Sequence, residues 1–493
     1  MHAISIRGVR FDMIGIVIAI AVGAVLLALV GVVVVRTLMF KPTPCEKKQY
    51  ETLEFDGDKA VNDLAEMIKC KTVSSNDKSL EDEAEFDKFK ALLPKLFPNI
   101  HEKCEFEAVG DRGLLYRYKG ESSDAPTVLM AHFDVVSVEQ DKWDKPAFDA
   151  IIEDGVMWGR GTLDTKGTLN GAMQALEKLI SEGFVPKNDI YLAFAGDEEI
   201  NGHGAPMIVD LFEDRGITPG LVFDEGGAVV QNVFPGVKAP CALIGIAEKG
   251  MLNLEFSYSG NGGHASSPKP HTPVGILSSA CVAVENHPFK FTVTKPAKAM
   301  FNTLARHSSF AYRMIFANLW LFGGILNMIC KKSGGELNAL MRTTCAFTQM
   351  EGSKGMNVIP PSAKMVANLR LIGGETTDSA MEYIRRVIDN EDIKLTKING
   401  MNPSVISRTD CEAWERVCDA VQGTWQDAIV SPYLMVACSD SRHWGRISDR
   451  VYRFSAMALS SEERSTIHGN NERVPLETVK KTVEMYLRLI KKC

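Results

Sequence analysis

The sequence lacks the usual marks of a disulfide-stabilised or glycosylated extracellular domain. Its eleven cysteines are odd in number and contain no C-x-x-C pair, so we predict mostly free thiols rather than a disulfide framework. The one N-x-S/T pattern, Asn402-Pro403-Ser404, contains the proline that blocks glycosylation. No repeat or low-complexity block is evident, and the composition is that of an ordinary globular chain.

Nucleic-acid binding also has no support, because the chain carries a formal net charge of −7 rather than a basic excess. Its 493 residues, of which 45% are hydrophobic, suffice for a large core in two or three domains. The partners that we expect are therefore small molecules or peptides, together with a membrane because of the apolar run described next.

One long apolar run, residues 13–35, contains no charged residue. At about 1.5 Å per residue, a helix of this length crosses a bilayer of about 30 Å. A cleaved signal peptide has a shorter apolar region of about 7–15 residues. We therefore favour an uncleaved single-pass anchor, followed by a polar tether over residues 36–50. Basic residues on both sides leave the membrane side of the catalytic domain open: Arg7, Arg10, Arg36, Lys41, Lys47 and Lys48.

The rest of the chain divides by its pattern of strands and helices. Alternating strands and helices predict an α/β catalytic domain over residues 51–244, with a mixed, largely parallel sheet and helices on both faces. Near Gly245 the order changes to β-α-β-β-α-β, which indicates a ferredoxin-like α+β lid domain inserted over residues 245–401. Residues 402–493 then return to the catalytic sheet.

An unusually apolar segment, residues 310–330, interrupts the inserted domain. Arg313, Asn318 and Asn327 make it a poor bilayer span. One interpretation is a buried helical hairpin or a dimer contact. The other is an apolar groove for a greasy substrate, or a surface that touches a membrane.

The stretch YLAFAGDEEI, residues 191–200, is the centre of the functional pattern. Its apolar half predicts a buried strand, which ends in Asp197, Glu198 and Glu199. Neighbouring carboxylates at such an edge are costly unless something neutralises them. The triplet therefore indicates either a metal site, with one glutamate as ligand and its neighbour as proton carrier, or a solvated acidic loop.

Four other motifs favour the metal site. His132 and Asp134 follow an apolar run and share one face of an extended backbone, where the carboxylate can orient the imidazole. Asp164 lies in the glycine-rich GRGTLDTKG, Asp224 ends the apolar LVFD, and His468 lies in the polar loop IHGNNERV. Each motif alone is more often structural than catalytic. Together they lie at strand or loop ends, where open α/β sheets bind their ligands.

The motif order HxD, GRGTxDxKG, DEE, DEGG, GGHAS and HGxNE resembles the zinc-dependent exopeptidase family of aminoacylase, carboxypeptidase S and glutamate carboxypeptidase. The resemblance extends from about Asp58 to the C-terminus. It is greatest to the branch of carboxypeptidase S and N-acyl amino acid amidohydrolases, which has similar sequence around HFDVV and SDSRH. Six motifs in this order make a chance match far less probable than common descent.

The resemblance implies a centre of two divalent ions, with zinc as the expected metal. Asp164 would bridge both ions, and Glu198 would be the general base and acid while Asp134 supports His132. The remaining ligands would be His132 and Asp224 for one ion, and Glu199 and His468 for the other. Zinc accepts such nitrogen and oxygen ligands.

The resemblance also implies roles for residues of the lid. His264 would stabilise the oxyanion, often across a homodimer formed through the lid, and Asn357 would contact a polar group of the substrate. Arg370 would bind the substrate carboxylate through its bidentate fork, with Arg442 as a rival. The alternatives are a histidine that caps its own loop and an arginine in a surface ion pair.

These features predict a membrane-anchored metallohydrolase that cleaves an amide bond next to a free carboxylate. Its substrate would be either a peptide or an N-acyl amino acid, and the apolar insert slightly favours the second. The alternative is a catalytically inactive binding or scaffold protein on the same fold. That alternative predicts a broken ligand set or a replaced Glu198, whereas the sequence keeps the whole set.

Overall fold

The computed structural model describes residues 5–42 and 48–493, with side chains from Gly15 onward. Helix α1, Ser5–Met39, contains the whole predicted span and continues into the segment predicted as a tether. The helix ends where Pro42 disfavours helical backbone at the preceding residue. Residues 43–47 of the predicted tether lie outside the described residues.

The first part of the α/β domain begins after this segment, and strands and helices alternate along most of it. Its elements are α2 (Gly57–Ile68), α3 (Glu83–Leu96), α4 (Pro98–Lys103), β1 (Glu105–Val109), β2 (Gly113–Tyr118), β3 (Ser122–His132), β4 (Ile151–Glu153), β5 (Val156–Trp158), α5 (Lys166–Ser181), β6 (Asn188–Ala195), α6 (Gly204–Asp214), β7 (Leu221–Val230) and β8 (Cys241–Glu248).

The middle part begins immediately after Lys249 and contains the β-α-β-β-α-β succession together with the apolar insert. Its elements are β9 (Gly250–Ser259), β10 (Gly263–His264), α7 (Pro273–Asn286), α8 (Lys295–Leu304), α9 (Phe310–Ala317), α10 (Leu319–Ser333), α11 (Gly335–Met341), β11 (Thr344–Glu351), β12 (Val358–Ile359), β13 (Ser362–Leu371), α12 (Thr377–Ile388) and β14 (Lys394–Met401).

The last part contributes β15 and β16 to the same sheet as β1–β3 and β6–β8. Its elements are α13 (Glu412–Thr424), β15 (Ile429–Met435), β16 (Val451–Leu459), α14 (Ser461–Ser465), β17 (Arg473–Pro475) and α15 (Leu476–Ile490).

The large sheet has eight strands in the order β1-β2-β6-β3-β7-β16-β8-β15. Its four central strands, β6, β3, β7 and β16, run parallel, while β1 and β2 form an antiparallel edge. Apolar residues of β3 alternate between two cores: Leu129 packs with α5 and α15, and Val128 packs with α6. Both faces are buried, which explains the near-continuous apolar runs of these strands. The predicted mixed α/β architecture is confirmed.

The second sheet has four antiparallel strands in the order β11-β13-β9-β14. Helices α7 and α12 cover one face, where Leu252, Phe256 and Leu369 are fully buried. The opposite face carries polar side chains, including Asn253 and Asn368, whose amides share a hydrogen bond of 2.7 Å. Strand alternation thus gives this domain one apolar and one polar face.

The apolar insert forms α9 and α10, whose axes meet at an angle of 110° on either side of Asn318. Only a minority of its side chains are buried, among them Phe316, Leu326 and Cys330. The insert is therefore helical and mostly exposed, which does not match a hairpin buried within one chain and leaves the other predictions for it untested: a dimer contact, a substrate groove or a membrane surface.

Candidate metal centre

Two neighbouring strands carry the first acidic and imidazole groups to one edge of the large sheet. His132, the last residue of β3, lies opposite Ala195, the last residue of β6. The turn after β6 then presents Glu198 and Glu199 beside His132. This proximity follows from parallel pairing, which brings the carboxyl ends of both strands to the same edge.

Asp134 contacts both His132 and the turn that carries Glu198 and Glu199. Its buried carboxylate accepts hydrogen bonds from the backbone N–H groups of Glu198 and Glu199, each at 3.1 Å, and from Ser74 Oγ at 2.6 Å. His132 Nδ1 faces the same residue, 3.0 Å from Asp134 O and 3.3 Å from Oδ1. The other ring nitrogen of His132, Nε2, therefore points towards Asp164 and Glu225.

Asp164 lies between the two imidazoles. Its Oδ1 is 3.0 Å from His132 Nε2, and its Oδ2 is 2.9 Å from His468 Nε2. His468 Nε2 is also 3.0 Å from Glu199 Oε2. Four of the five predicted ligands therefore lie together. Asp164 lies between His132 and His468, and Glu199 also contacts His468.

The loops that carry Asp164 and His468 are held together by Glu472, a fully buried residue whose role the sequence analysis missed. Its carboxylate accepts from the backbone N–H groups of Leu163 at 2.8 Å and Asp164 at 3.3 Å, and from Gly161. Arg160 Nη1 donates to the same carboxylate at 2.6 Å, and Arg160 Nη2 donates to Gly469 O at 2.7 Å. The available signal was the glutamate of the HGNNE motif itself.

Asp224, the fifth predicted ligand, makes no direct contact with these four residues among the contacts found in the described residues. Its buried Oδ2 accepts from the backbone N–H of Ser441 at 3.0 Å, while Glu225 Oε1 lies 3.4 Å from His132 Nε2. The pairing of β7 with β16 is irregular between Asp224 and Gly227, where two residues of β7 have no separate partner on β16. Such a bulge changes which of two adjacent side chains faces an edge. Glu225 is therefore a residue of the site that the sequence analysis missed.

The charges in this cluster shift the pKa values of its members strongly. Hydrogen bonds with Asp164 and Glu199 raise the pKa of His468 to about 10. Burial opposes ionisation of Asp164, but the two histidines hold the pKa of its carboxyl below the ordinary range. Burial, together with the charge of Asp164, raises the pKa of Glu225 to about 8.

The pKa of Glu198 is raised well above the ordinary value, first by burial and then by the charge of Asp440. Asp440 lies in the SDSRH motif, and burial raises its own pKa to about 8 although Arg442 opposes the shift. This motif belongs to the family resemblance, but Asp440 was not among the predicted site residues. So many buried carboxylates close together form a site of strongly negative potential.

The donor atoms fit a divalent cation. Two sets have donor atoms within 4.8 Å of one another: His132, Asp164 and Glu199 form one, and His132, Glu198 and Glu225 form the other. In addition, Glu199 Oε1 is buried without a hydrogen-bond partner among the described residues. Imidazole nitrogen and carboxylate oxygen are ligands that zinc accepts, and a cation would satisfy the unpaired oxygen.

His264 and Asn357 lie close to each other in the second domain. His264 in β10 pairs with Val358 in β12, and Ala265 N donates to Asn357 O at 3.0 Å. The His264 side chain is exposed, and its Nδ1 is 2.7 Å from Ser266 Oγ. None of the contacts found among the described residues links either side chain to the cluster.

Arg370 contacts the loop between β15 and β16, and Arg442 belongs to that loop. Arg370 Nη1 donates to Cys438 Sγ at 3.5 Å, and its Nε donates to Asn368 on the polar face of β13. Arg442 Nη2 donates to Asn201 Oδ1 at 3.1 Å, two residues after Glu199. Arg370 therefore reaches the α/β domain from the second sheet, and Arg442 contacts the turn after β6 that carries Glu198 and Glu199.

The sequence profile of the peptidase family M20/M25/M40 matches residues 128–492, and the chain belongs to this family of hydrolases. The probable carboxypeptidase S-like 2 of Dictyostelium discoideum is 34% identical over 436 residues, 87% of this chain and 84% of that protein. The N-fatty-acyl-amino acid synthase/hydrolase PM20D1 of Xenopus tropicalis is 33% identical over 491 residues, 95% of each chain. The predicted family resemblance is confirmed.

The solved structures support the same fold. The M20 family metallo-carboxypeptidase Sso-CP2 from Sulfolobus solfataricus aligns with a TM-score of 0.64 at 16% identity, covering 88% of this chain and 98% of that one. The chain is accordingly an M20 hydrolase, and the alternative of an inactive scaffold protein has no support from its relatives or its residues.

Proposed function

We propose that this protein is a two-metal amidohydrolase that releases a free amino acid from an N-acyl amino acid with a long apolar acyl chain. The observation that carries the proposal is the position of Asp164 between His132 and His468, with 3.0 and 2.9 Å separating its two oxygens from the imidazoles. A carboxylate in that position suits the bridge of a two-metal hydrolase.

His132, Asp164, Glu199 and His468 are the proposed ligands of two zinc ions, and the fifth comes from the pair Asp224 and Glu225. A metal pair in this place supplies Lewis acidity for polarising the substrate carbonyl and activating water. The resemblance favours Asp224, and the 3.4 Å contact with His132 favours Glu225. Metal analysis should find one ion fewer per chain in either Asp224→Asn or Glu225→Gln, and two ions in both would contradict the pair's role.

Glu198 is the proposed proton carrier. Its carboxylate takes a proton from the attacking water and returns it to the nitrogen of the leaving amine. A pKa raised by burial suits this cycle, because the group can hold the proton between the two steps. Asp134 keeps Glu198 in place through the backbone N–H bond at 3.1 Å.

The second domain is the proposed lid, and it supplies groups that bind the substrate. Arg370 binds the free carboxylate, and Asn357 binds a polar group of the substrate. His264 stabilises the oxyanion, either after the lid closes or from the partner in a homodimer. Arg442 is the alternative carboxylate ligand, since it already borders the catalytic turn through Asn201.

The acyl group separates this function from a carboxypeptidase, the second candidate, which the carboxypeptidase S-like relative favours. The relative named as an N-fatty-acyl-amino acid synthase/hydrolase and the exposed apolar insert both support an acyl chain. Each buried methylene contributes about 0.8 kcal/mol, so kcat/KM can rise by as much as about fourfold per methylene.

A substrate series tests this choice. Purified protein would be assayed on one amino acid carrying acyl groups from acetyl to oleoyl, beside N-blocked dipeptides with the same C-terminal residue. We expect kcat/KM to increase with acyl length and to exceed that of the dipeptides. Efficient cleavage of the dipeptides without dependence on acyl length would identify a carboxypeptidase instead.

We also propose that α1 anchors the protein in a membrane. Within the segment Gly15–Met39, the most apolar stretch of 18 residues has a mean hydropathy of 3.1, and only 6% of that stretch is buried. A signal sequence passes the same test, but the apolar run is longer than a signal peptide needs. An anchored chain should remain in the pellet after alkaline carbonate extraction, and release into the supernatant would contradict the anchor.

A further inference from the structure

Helices α9 and α10 carry a large exposed apolar face that catalysis does not explain. Four of its residues, Leu321, Ile325, Met328 and Ile329, follow the spacing of one face of α10. The whole face, here named the insert face, consists of Phe310, Tyr312, Trp320, Leu321, Ile325, Met328 and Ile329, each between 39% and 63% exposed. So many exposed large apolar side chains on two neighbouring helices mark an interaction site.

The end of the proposed anchor lies directly on this insert. Arg36 donates to Ala317 O, the terminal carbonyl of α9, from Nε at 3.3 Å and from Nη2 at 3.0 Å. Asn318 Nδ2 donates to Val33 O and to Thr37 Oγ1, both at 3.3 Å. Val33 and Thr37 are buried there, one helical turn apart. These polar contacts fix α1 against the corner between α9 and α10.

A second attachment follows immediately after the helix. Arg306 Nη1 donates to Lys41 O at 2.9 Å, and its guanidinium lies 4.5 Å from the centre of the Phe40 ring. The chain is therefore held to the protein from Val33 to Lys41, and this part of the predicted tether is not free. This fixed connection determines the orientation of the insert face relative to the membrane that α1 is proposed to span.

Bilayer thickness locates the insert relative to the membrane. A span of about 30 Å needs about 20 helical residues, so a helix that leaves the bilayer near Val33 enters it near Met13. These limits match the apolar run of the sequence, residues 13–35. Val33, near which the helix would leave the bilayer, is also the residue that is buried against the insert. The insert therefore lies at the surface of the bilayer.

We propose that the insert face is a second membrane contact, lying in the interface of the bilayer that α1 spans. Exposed tryptophan and tyrosine, represented by Trp320 and Tyr312, are typical of the interface level. Lys331 and Lys332 in the last turn of α10 provide cations for lipid phosphates. This proposal rests on the anchor proposed above and adds a contact that the anchor alone does not require.

Trp320 provides a direct measurement. It is 58% exposed, whereas the other five tryptophans are buried or half-buried. The full chain would be reconstituted, one copy per disc, in nanodiscs of phosphatidylcholine and phosphatidylserine, with lipids brominated at shallow or deep acyl positions. The emission of Trp320 is obtained by subtracting the spectrum of Trp320→Phe. We expect shallow bromines to quench it more than deep ones, and aqueous iodide to quench it little.

Paired variants test the role of the face itself. Ile325→Ser with Met328→Ser should move Trp320 into water, so that lipid quenching falls and iodide quenching rises. Val282→Ser with Met350→Ser replaces equally exposed apolar residues elsewhere and should change neither. An equal effect of both pairs would overturn the proposal.

The remaining outcomes separate this proposal from the anchor. A chain retained by carbonate extraction whose Trp320 is quenched only by iodide keeps its anchor and has no second contact. A chain released by carbonate refutes the anchor, and the insert proposal fails with it. Protection of Trp320 from both quenchers, in detergent at high protein concentration as well, would assign the face to a second copy of the chain and overturn membrane contact.

Discussion

The loss of one negative charge at Glu472 should disorganise the metal centre without touching a proposed ligand. In Glu472→Gln the amide oxygen can replace Oε1, which accepts from Leu163 and Asp164. The amide nitrogen then stands where Oε2 accepted from Arg160 Nη1 at 2.6 Å, so two donors face each other. Arg160 is buried and loses its only carboxylate among the ion pairs found in the described residues.

The size of the effect follows from this geometry. Removing one partner of a buried ion pair typically costs about 3–5 kcal/mol, because the other charge stays buried and unpaired. We therefore expect Glu472→Gln to lower the free energy of unfolding by about that amount. The loops carrying Asp164 and His468 also lose their link, and comparable supporting residues change metal affinity by about 10–100-fold.

A matched control comes from the surface pair of Glu107 and Arg215. Its nitrogen and oxygen atoms are nearly as close, at 2.8 Å, but both side chains are nearly half exposed. Glu107→Gln should cost less than about 1 kcal/mol. Urea unfolding of both variants in detergent, with and without chelator, gives the stability, and metal titration gives the affinity. Equal destabilisation of the two variants, or unchanged metal affinity in Glu472→Gln, would refute the reasoning.

Three further predictions concern catalysis, substrate binding and pH. Glu198→Gln should retain its metal and lose about 10²–10⁴-fold in turnover, since it removes a proton carrier; near-native turnover in the metal-loaded variant would exclude that role. Arg370→Ala should lose about 1.5–3 kcal/mol of binding for substrates with a free carboxylate, and much less for their amides, whereas a selective loss in Arg442→Ala alone would transfer the assignment. Burial lowers the pKa of Lys249 in the folded chain from its ordinary value of 10.5 to about 7. Between these two pH values, Lys249 is protonated in the unfolded chain and mostly neutral in the folded chain. The stability of wild type relative to Lys249→Met should then increase from about pH 7 to about pH 9 in thermal unfolding, and a constant difference would contradict the shift.

The sequence predicted those parts of the fold that follow from local patterns. Continuous apolar runs correctly indicated strands covered on both faces, such as β6. In β13, the sequence alternation coincides with burial, because Ala367 and Leu369 are in the core and Arg370 is on the polar face. The motif order led to the family and to four converging site residues. These predictions succeeded because side chains alternate between the two faces of a strand, and because few residue types can serve in the motifs of the site.

What the sequence did not predict depends on tertiary contacts. The choice between Asp224 and Glu225 depends on a bulge in β7 that only pairing with β16 defines. The role of Glu472 arises because β17 pairs with β5 and brings its loop to residues 160–164. The exposure of the insert depends on what covers it, and the composition of residues 310–330 does not indicate a neighbour.

Metal content of wild type and Asp164→Asn, measured on purified full-length protein, tests the central claim most directly. Asp164 is the one carboxylate placed between both imidazoles, so its loss should affect both ions, whereas His468→Ala should affect only one. We predict two zinc equivalents per chain in wild type, close to one in His468→Ala and close to none in Asp164→Asn. Two equivalents retained in Asp164→Asn would contradict the shared centre.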